Sequence, residues 1–226
     1  MRVLVGPDVP LPQLYAAPAR SDDAHSEPWL RVNMVSTVDG AAAGASGTSR
    51  SINNEVDKTV FDLLRQQADV LVVGAGTLRI EGYAPNRLPI VAVTRSGSVP
   101  PTLAECAPGQ VLVATCSHAD GLDEAREIVG DEHVLVLGSH RVDLAALREQ
   151  LVERGFRRIL SEGGPHLLRD LLDQNCVDEI DSTIVPRVIG GTHPRILDGP
   201  PLDVPLRLHT LLEQDGTLLA RWLVDR

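Results

Sequence analysis

The sequence predicts an α/β fold, with a mainly parallel sheet flanked by helices and antiparallel strands at the C-terminal end. Buried-strand runs such as "DVLVVG" and "QVLVATC" alternate with amphipathic runs such as "VDLAALREQLVERG", which is typical of parallel strands covered on both faces. Near the C-terminus, strand-like runs are joined by an Asp215-Gly216 turn, which is typical of a hairpin. The 226 residues show no internal repeat and no linker, so one domain over residues 29–226 is expected.

The first elements follow in chain order. Residues 1–28 are rich in Pro, Ala and Asp and predict an irregular arm. In the stretch "WLRVNMVSTVDG", Val32, Met34 and Ser36 alternate with Asn33, Val35 and Thr37. This alternation predicts a strand that ends in a turn. The stretch "AAAGASGTSRSIN" predicts a loop of small residues. From Asn54 to Gln67 the apolar residues recur at helical spacing, which predicts a helix.

After Gln67, strands and helices alternate. The predicted strands are "DVLVVG", "PIVAVTRSG", "QVLVATC", "HVLVLG" and "RRILSE". The predicted helices are "ADGLDEAREIVG", "VDLAALREQLVERG" and "PHLLRDLLDQN". The last predicted strands, which are expected to form an antiparallel edge, are "VDEIDSTIVP", "LRLHTLLEQD" and "GTLLARWLVDR".

Composition narrows the possible functions. A net charge of -10 and an aromatic content of 3% disfavour nucleic-acid binding. No apolar run approaches the roughly 20 residues of a membrane helix. The apolar stretch at the start is too short for a secretory signal, so a cytoplasmic protein is expected. Cys106, Cys116 and Cys176 are widely spaced, which predicts reduced thiols.

Several chemistries lack their motifs. The sequence contains no G-x-x-x-x-G-K-[ST] phosphate loop and no G-x-S-x-G nucleophile elbow. No pair of histidines has metal-ligand spacing, so no metal is predicted. Lys58 is the only lysine and lies in a polar, helix-like stretch, which is a poor place for a Schiff base.

The stretch "ILSEGGPHLL" places two glycines and a proline between a strand and a helix. Gly163 and Gly164 allow the backbone to approach a ligand, and Pro165 suits the first helical position. The helix N-terminus can then receive a phosphate. The alternative is tight packing of the strand against the helix. Glu162, at the carboxyl end of the strand, lies where α/β proteins bind ligands, although it can also cap the helix.

A second glycine loop, Gly74-x-Gly76, follows the strand "DVLVVG". As a dinucleotide fingerprint it is weak, because the third glycine is missing. The next strand ends in Thr94-Arg95-Ser96 rather than in an acid. Hydroxyls and a guanidinium suit a 2′-phosphate, which favours NADPH over NADH. Arg95 can equally be a solvated surface charge.

A third loop, "STVDG", places Asp39 at the end of a strand. An Asp-Gly turn is common and needs no function. Because loops at the carboxyl ends of neighbouring strands meet in one crevice, the three loops together predict a ligand site.

In combination, "STVDGAAAGASGTS", "FDLLRQQADVLVVGAGTLRIEGY", "VTRSG" and "ILSEGGPHLLRDLL" with "VDEI" and "IVPRVIGG" resemble the reductase domain of bacterial riboflavin biosynthesis. The resemblance runs from Trp29 to the C-terminus. It implies a dihydrofolate-reductase-like fold, an NADPH cofactor and a homodimer. The arm "LPQLYAAP" also resembles a stand-alone actinobacterial subgroup of pyrimidine-reductase-like proteins.

The resemblance implies roles for individual residues. With the glycine-loop residues above and Arg95, the implied cofactor site consists of Val35, Ser51, Thr77, Glu81, Thr94 and the run Gly164–Asp170, which includes Pro165, His166, Leu167 and Leu168. The implied substrate site contains Ser49, Arg65 and Arg87, with Asp39 and Glu162 as catalytic residues. The implied reaction is hydride transfer to C1 of a ribosylaminopyrimidine 5′-phosphate, of the 5-amino-6-(5-phosphoribosylamino)uracil reductase type.

The sequence departs from the family pattern at three positions. Ser51 stands where the family often has Trp, Asn33 where it often has Lys, and Glu81 where it has Asp. The deaminase that is usually fused to the reductase is not expected in this protein. Two alternatives therefore stay open: a dihydrofolate or pterin reductase, and a nucleotide-binding module without turnover.

The expected homodimer has a structural rationale in the sequence. The stretch "VDEIDSTIVPRVIGG" is predicted to lie near an apolar sheet edge, and such an edge must be covered. Pairing across a two-fold axis would cover it. The apolar residues concerned are Ile180, Ile184, Val185, Val188 and Ile189.

Overall fold

A ten-stranded sheet runs through the part of the chain that the computed structural model describes, residues 1–17, 27–83 and 87–225. Its strand order is β1-β9-β10-β8-β2-β7-β3-β4-β5-β6. The strands are β1 (Arg2–Val5), β2 (Trp29–Thr37), β3 (Val70–Gly74), β4 (Ile90–Val93), β5 (Val111–Thr115), β6 (Val134–Val136), β7 (Arg158–Ser161), β8 (Glu179–Val185), β9 (Leu206–Gln214) and β10 (Thr217–Val224).

The strands from β8 to β6 pair in parallel, and β10, β9 and β1 continue the sheet antiparallel. This mixed sheet confirms the predicted fold class. Because β2, β7, β3 and β4 point the same way, their carboxyl ends lie along one edge of the sheet. The loops that were predicted to meet therefore begin at that edge.

Helices cover both faces of the sheet. They are α1 (Leu11–Leu14), α2 (Glu55–Gln66), α3 (Ala75–Glu81), α4 (Leu122–Val129), α5 (Leu144–Glu153) and α6 (Pro165–Asp173). One apolar cluster packs helices α5 and α6 against one face of the sheet. A second cluster packs helices α1, α2, α3 and α4 against the other face. Along β3, Val70 and Val72 belong to the first cluster, while Leu71 and Val73 belong to the second. This alternation is the reason that buried parallel strands are apolar throughout.

The N-terminal arm differs from the prediction of an irregular segment. Part of it forms β1, which pairs with β9, and α1 follows. Tyr15 is 1% exposed. The buried guanidinium groups of Arg31 and Arg221 donate hydrogen bonds to the backbone carbonyls of Tyr15 and Leu14. These bonds anchor the arm to the sheet, and residues 18–26 of the arm lie outside the described residues.

Two further sequence expectations need correction. Helix α3 occupies a stretch that was expected to be a loop, and it ends at Gly82, whose φ of 62° suits a helix terminator. Strand β8 is not at an edge, because it pairs with β2 on one side and β10 on the other. Val185 is fully buried, whereas Ile184 and Val188 are 38% and 72% exposed.

Candidate active site

A cavity of about 260 Å³ lies beside the carboxyl ends of β2 and β7, bounded by the start of α2, by α3 and by the start of α6. It continues into an outer cleft of about 650 Å³. Ser49, Phe61 and Tyr83 line both spaces. The outer cleft also carries cationic side chains, namely Arg50, Lys58 and Arg65. The acidic Glu55 and Glu81 line the outer cleft as well, so the site combines an inner cavity with an outer cleft of mixed charge.

Glu162 stands between the inner cavity and the outer cleft. Its buried carboxylate accepts hydrogen bonds from Nε and Nη2 of Arg65 at 2.6 and 2.7 Å. The Tyr83 hydroxyl donates a third hydrogen bond at 2.5 Å. The Arg65 guanidinium lies 4.2 Å from the centre of the Phe61 ring, a cation–π contact. These contacts fix the Arg65 and Tyr83 side chains at the wall of the site.

Burial raises the pKa of the Tyr83 hydroxyl, and the negative charge of Glu162 raises it further. Tyr83 therefore keeps its proton at neutral pH and acts as a hydrogen-bond donor. Glu162 in turn has its charge balanced by Arg65. The predicted functional position of Glu162 beside the cavity agrees with this geometry, and its catalytic role stays a prediction.

Asp57 is a second buried carboxyl at the cavity, and the sequence patterns did not predict it as a site residue. It is 3% exposed and is the third residue of α2. The side chain of the preceding Asn54 accepts a hydrogen bond from the Asp57 backbone N–H at 3.0 Å, which fixes the first turn of the helix. Burial raises the pKa of the Asp57 carboxyl, a hydrogen bond from Thr183 opposes this shift, and the charge of Glu162 adds to it.

A signal for Asp57 was present in the sequence. Asp57, Val60 and Leu64 are spaced i, i+3 and i+7, so the aspartate lies on the apolar face of the predicted helix. An acid on a buried face needs a partner or a function.

The two glycine loops meet directly. The Gly74 N–H donates a hydrogen bond to the Gly163 carbonyl at 2.8 Å. Gly163 has a φ of 76°, and a Cβ there would lie 2.8 Å from the Met34 sulfur. A Cβ on Gly164 would collide with the Thr77 hydroxyl. Tight packing thus accounts for both glycines. Gly164 also lines the cavity, and its contact with a ligand stays a prediction.

The N-terminus of α6 opens toward the same cavity through Gly164, Pro165 and His166. Pro165 occupies the first helical position, where no N–H is required. The partial positive charge at a helix start favours an anion. Asp198 borders this end of the cavity, and its carbonyl lies 3.1 Å from Nδ1 of His166.

The structure brings only part of the predicted site together. The predicted residues that line the inner cavity are Val35, Ser49, Thr77, Glu81, Glu162, Gly164, Pro165 and His166. Arg65 lines the outer cleft. The predicted residues that line neither space are Asp39, Ser51, Gly74, Gly76, Arg87, Thr94, Arg95, Gly163, Leu167 and Leu168.

Asp39 holds two segments of backbone together. Its exposed carboxylate accepts hydrogen bonds from the Thr37 hydroxyl at 2.5 Å and from the backbone N–H groups of Ile189 and Gly190 at 3.2 and 2.7 Å. The hydrogen bond from Thr37 is the largest cause of the lowered pKa of the Asp39 carboxyl, and the hydrogen bond from the Gly190 N–H is the second largest. Asp39 thus ties the turn after β2 to the loop after β8, away from the wall that holds Glu162.

Other predicted cofactor residues also have structural tasks. The Glu81 carboxylate accepts a hydrogen bond from the Ser49 N–H at 2.7 Å. The Ser51 hydroxyl accepts a hydrogen bond from the Gly44 N–H and donates one to the Thr48 carbonyl. Both side chains thereby shape the small-residue loop at the mouth of the cavity.

The predicted placement of Leu167 and Leu168 in the cofactor site needs one correction. Both side chains belong to the apolar core, because this face of α6 packs on the sheet. Any contact that these two residues make with a ligand is therefore limited to their backbone.

Thr94 and Arg95 lie along the same carboxyl edge of the sheet, directly after β4. Thr94 is buried, and its hydroxyl lies 3.3 Å from that of Ser96. Arg95 is exposed, and its guanidinium has no hydrogen-bond or ion-pair partner within the described ranges. It is therefore available to an anionic ligand group.

Among residues 1–17, 27–83 and 87–225, no group of three or more His, Cys, Asp or Glu side chains is placed to hold a metal ion. A separate search of those residues finds no helix that is both long and apolar enough to cross a membrane.

A mixed sheet of this order, with a cleft at its carboxyl edge, defines the dihydrofolate-reductase-like class of α/β proteins. The dihydrofolate reductase of Enterococcus faecalis, solved in complex with NADP(H), superposes with a TM-score of 0.50 at 16% identity, over 88% of this chain and 97% of that one. The match to the RibD C-terminal domain covers residues 28–218. The chain therefore belongs to the RibD C-terminal domain family.

Individual relatives agree with this assignment. The 2,5-diamino-6-ribosylamino-4(3H)-pyrimidinone 5′-phosphate reductase of Archaeoglobus fulgidus is 31% identical over 76% of this chain and 87% of its own length. The crystal structure of a pyrimidine reductase-like protein from Corynebacterium diphtheriae superposes with a TM-score of 0.73 at 24% identity, over 88% of this chain and 92% of that one.

Proposed function

We propose that this chain is an NADPH-dependent reductase of a ribosylaminopyrimidine 5′-phosphate in riboflavin biosynthesis. The observation that carries the proposal is the cavity itself, because its lining combines the glycine loop at the start of α6 with Glu162 and its hydrogen-bond partner Tyr83. The name of the Archaeoglobus fulgidus relative supports this substrate class.

The residues present fit a dinucleotide. Gly164 and the α6 N-terminus offer a close backbone approach and a positive end for phosphate. Arg95, together with Thr94 and Ser96, suits a 2′-phosphate. When bound, NADPH supplies the hydride that C1 of the ring-opened ribosylimino group accepts, while the imine nitrogen takes up a proton.

The side chains of the site have separate tasks in this proposal. Met34, Val35 and Phe61 line the cavity with apolar surface and exclude water from the reacting atoms. The cations of the outer cleft attract the substrate phosphate. Glu162 and Asp57 are carboxyl groups beside the cavity that can exchange the proton.

A pterin or dihydrofolate reductase is the second candidate. The fold and the buried Asp57 are compatible with a pterin ring, but the named relatives are reductases of riboflavin biosynthesis. The same names disfavour a binding module without turnover. Following the absorbance of NADPH with a ribosylaminopyrimidine 5′-phosphate, with dihydrofolate and with no acceptor separates the three.

The proposal extends to a homodimer in the cytoplasm. Because β8 pairs with β2 and with β10, it offers no open edge for pairing with a second subunit. The remaining support is the exposed apolar surface of Ile184 and Val188 at the end of β8. Light scattering tests the assembly, and a monomer near 24.3 kDa at micromolar concentration would contradict it.

A further inference from the structure

The loop that follows β8 forms part of the wall of the inner cavity. Pro194 and Asp198 of this loop line the cavity, together with the small-residue loop and the α6 N-terminus. Both residues lie outside every helix and strand, so no helix or sheet hydrogen bonds hold them in place. The shape of the cavity therefore depends on what attaches residues 187–200, here called the wall loop, to the rest of the fold.

The turn after β2 attaches the beginning of the wall loop. Asp39 lies in this turn, and its carboxylate accepts hydrogen bonds from the backbone N–H groups of Ile189 and Gly190 at 3.2 and 2.7 Å. The Val38 N–H donates a hydrogen bond to the Arg187 carbonyl at 2.9 Å. The charge of the carboxylate strengthens the bonds that it accepts. Asp39 therefore fixes the wall loop close to the end of β8.

The turn that carries Asp39 is itself held together by hydrogen bonds. The Thr37 hydroxyl donates to the Asp39 carboxylate at 2.5 Å and accepts from the Ala41 N–H at 3.0 Å. The next residue, Ala42, donates its N–H to the Pro194 carbonyl at 2.7 Å. Ala42 and Pro194 both line the cavity. The attachment at Asp39 is thus continuous with a contact at the cavity wall.

The far end of the wall loop reaches the start of α6. The Asp198 N–H donates a hydrogen bond to the Pro165 carbonyl at 3.4 Å, and the Asp198 carbonyl lies 3.1 Å from Nδ1 of His166. Pro165 and His166 open α6, where the proposed dinucleotide would place a phosphate. Displacement of the wall loop would therefore open the cavity on the side assigned to NADPH.

Asp39 itself does not reach the cavity. Its carboxylate accepts hydrogen bonds from three donors, and the residue lines neither the inner cavity nor the outer cleft. The sequence resemblance implied a catalytic role, yet a group that exchanges a proton with a substrate has to come within hydrogen-bond reach of it. The hydrogen bond from Thr37, and after it that from Gly190, lowers the pKa of Asp39. The carboxyl therefore stays ionised at neutral pH and keeps accepting these bonds.

We propose that Asp39 is a positioning residue that holds the wall loop in the arrangement that binds NADPH. This assignment rests on the proposed function. Since only molecules with an attached wall loop bind the cofactor well, the apparent affinity falls with the fraction of molecules in that state. Once NADPH is bound the loop is in place, and the chemical step runs at its ordinary rate. Loss of Asp39 should therefore raise KM for NADPH and leave kcat at saturating NADPH unchanged.

Calorimetry with NADPH alone measures binding to the parent, to Asp39→Asn and to Asp39→Ala. Asp39→Ala should bind NADPH about tenfold more weakly than the parent. Asp39→Asn should lie between the two, because the amide oxygen still accepts a hydrogen bond but carries no charge. Asp215→Asn is the matched control, since Asp215 precedes Gly216 in the turn between β9 and β10, outside both cavities. It should bind NADPH like the parent.

Trypsin reports the position of the wall loop directly. Arg195 is exposed in this loop, so cleavage after it, identified by mass spectrometry, should be faster in Asp39→Ala than in the parent. Bound NADPH should slow the cleavage in both. Arg187→Ala removes the hydrogen bond from the Arg187 guanidinium to the Ser51 carbonyl. It loosens the same loop at a second point and should also weaken NADPH binding.

The outcomes separate a positioning role from the alternatives. Unchanged NADPH affinity in both Asp39 variants would overturn the proposal. A fall in kcat for Asp39→Asn at unchanged NADPH affinity would overturn it in favour of a catalytic role. Thermal melting establishes that the variants fold, and if Asp39→Ala does not, Asp39→Asn and Arg187→Ala carry the comparison.

Turnover is recorded separately from binding. If the parent binds NADPH but reduces no pyrimidine, and Asp39→Ala still binds NADPH more weakly, the proposed function fails and the role of Asp39 stands. If the parent reduces the pyrimidine and the Asp39 variants bind NADPH as it does, the role of Asp39 fails and the proposed function stands. A parent that binds no NADPH would overturn both.

Discussion

Arg65 and Glu162 are separated by 97 positions in the chain, yet Nε and Nη2 of the arginine lie 2.6 and 2.7 Å from the two carboxylate oxygens. The pair joins the C-terminal half of α2 to the end of β7, across the mouth of the inner cavity. Because Glu162 is almost fully buried and Arg65 is partly exposed, the pair both stabilises the fold and presents a fixed cation to the outer cleft.

Replacing Glu162 by Gln should therefore affect stability and substrate binding together. The amide cannot accept from both Arg65 nitrogens, so the free energy of unfolding should fall by about 1–3 kcal/mol, and KM for the pyrimidine should rise. Urea denaturation and initial rates measure the two effects. Asp131→Asn, which breaks the exposed pair with Arg126, should cost less than about 0.5 kcal/mol. Identical denaturation midpoints for both variants and the parent would contradict this account.

Asp57 should make stability depend on pH in a defined direction. Burial, aided by the charge of Glu162 and opposed by the Thr183 hydrogen bond, raises its folded-state pKa. Unfolding then becomes easier as pH rises from the ordinary aspartate pKa through the raised value, because the folded state holds the proton more tightly.

The comparison of wild type with Asp57→Asn isolates this effect. The variant should be more stable than the wild type at neutral pH, and the difference should shrink as the pH falls through the raised pKa toward the ordinary aspartate pKa. Urea denaturation across that range provides the measurement. A difference that is independent of pH would show that Asp57 does not carry the raised pKa.

Gly164→Val should weaken NADPH binding. The added side chain would collide with the Thr77 hydroxyl and fill the approach to the α6 N-terminus. Gly76→Ala, in the first turn of α3, is the control, because a Cβ there meets no atom within 4 Å. Calorimetry with NADPH, alongside thermal melting, makes the comparison. A Gly164→Val variant that melts like the parent and binds NADPH normally would leave the loop with a structural role only.

Arg95→Ala should lower the affinity for NADPH and leave that for NADH unchanged. The exposed guanidinium is available to a 2′-phosphate, and losing that contact should cost about 1–3 kcal/mol of NADPH binding. The loss should diminish as salt concentration rises, because the contact is exposed. Calorimetry with the two cofactors decides the point, and equal affinities of the parent for NADPH and NADH would remove the reason for the prediction.

The parts of the fold with strong periodicity were predictable from sequence. The buried parallel strands and helix α2 follow from local apolar patterns, and their positions agree with the structure within a few residues. Helix α3 was not predicted, because the glycines at its start suggested a loop. The arm was read as irregular because its proline-rich composition carries no sign of the Arg31 and Arg221 side chains that hold its carbonyls.

The site was only partly predictable for a related reason. Residues directly after strand ends, such as Glu162 and Gly164, reach the cavity because parallel strands share one carboxyl edge. Asp39 also follows a strand, but the loop after β8 supplies two backbone N–H groups that occupy its carboxylate. That contact spans about 150 positions, so no local pattern reveals it.

The most direct test of the account is the absorbance of NADPH on addition of 2,5-diamino-6-ribosylamino-4(3H)-pyrimidinone 5′-phosphate to the purified chain. The account predicts that absorbance falls in proportion to the pyrimidine added, that the ribosyl group becomes a ribityl group, and that dihydrofolate produces no fall. Steady absorbance with both this pyrimidine and its deaminated form, or a fall with dihydrofolate alone, would contradict it.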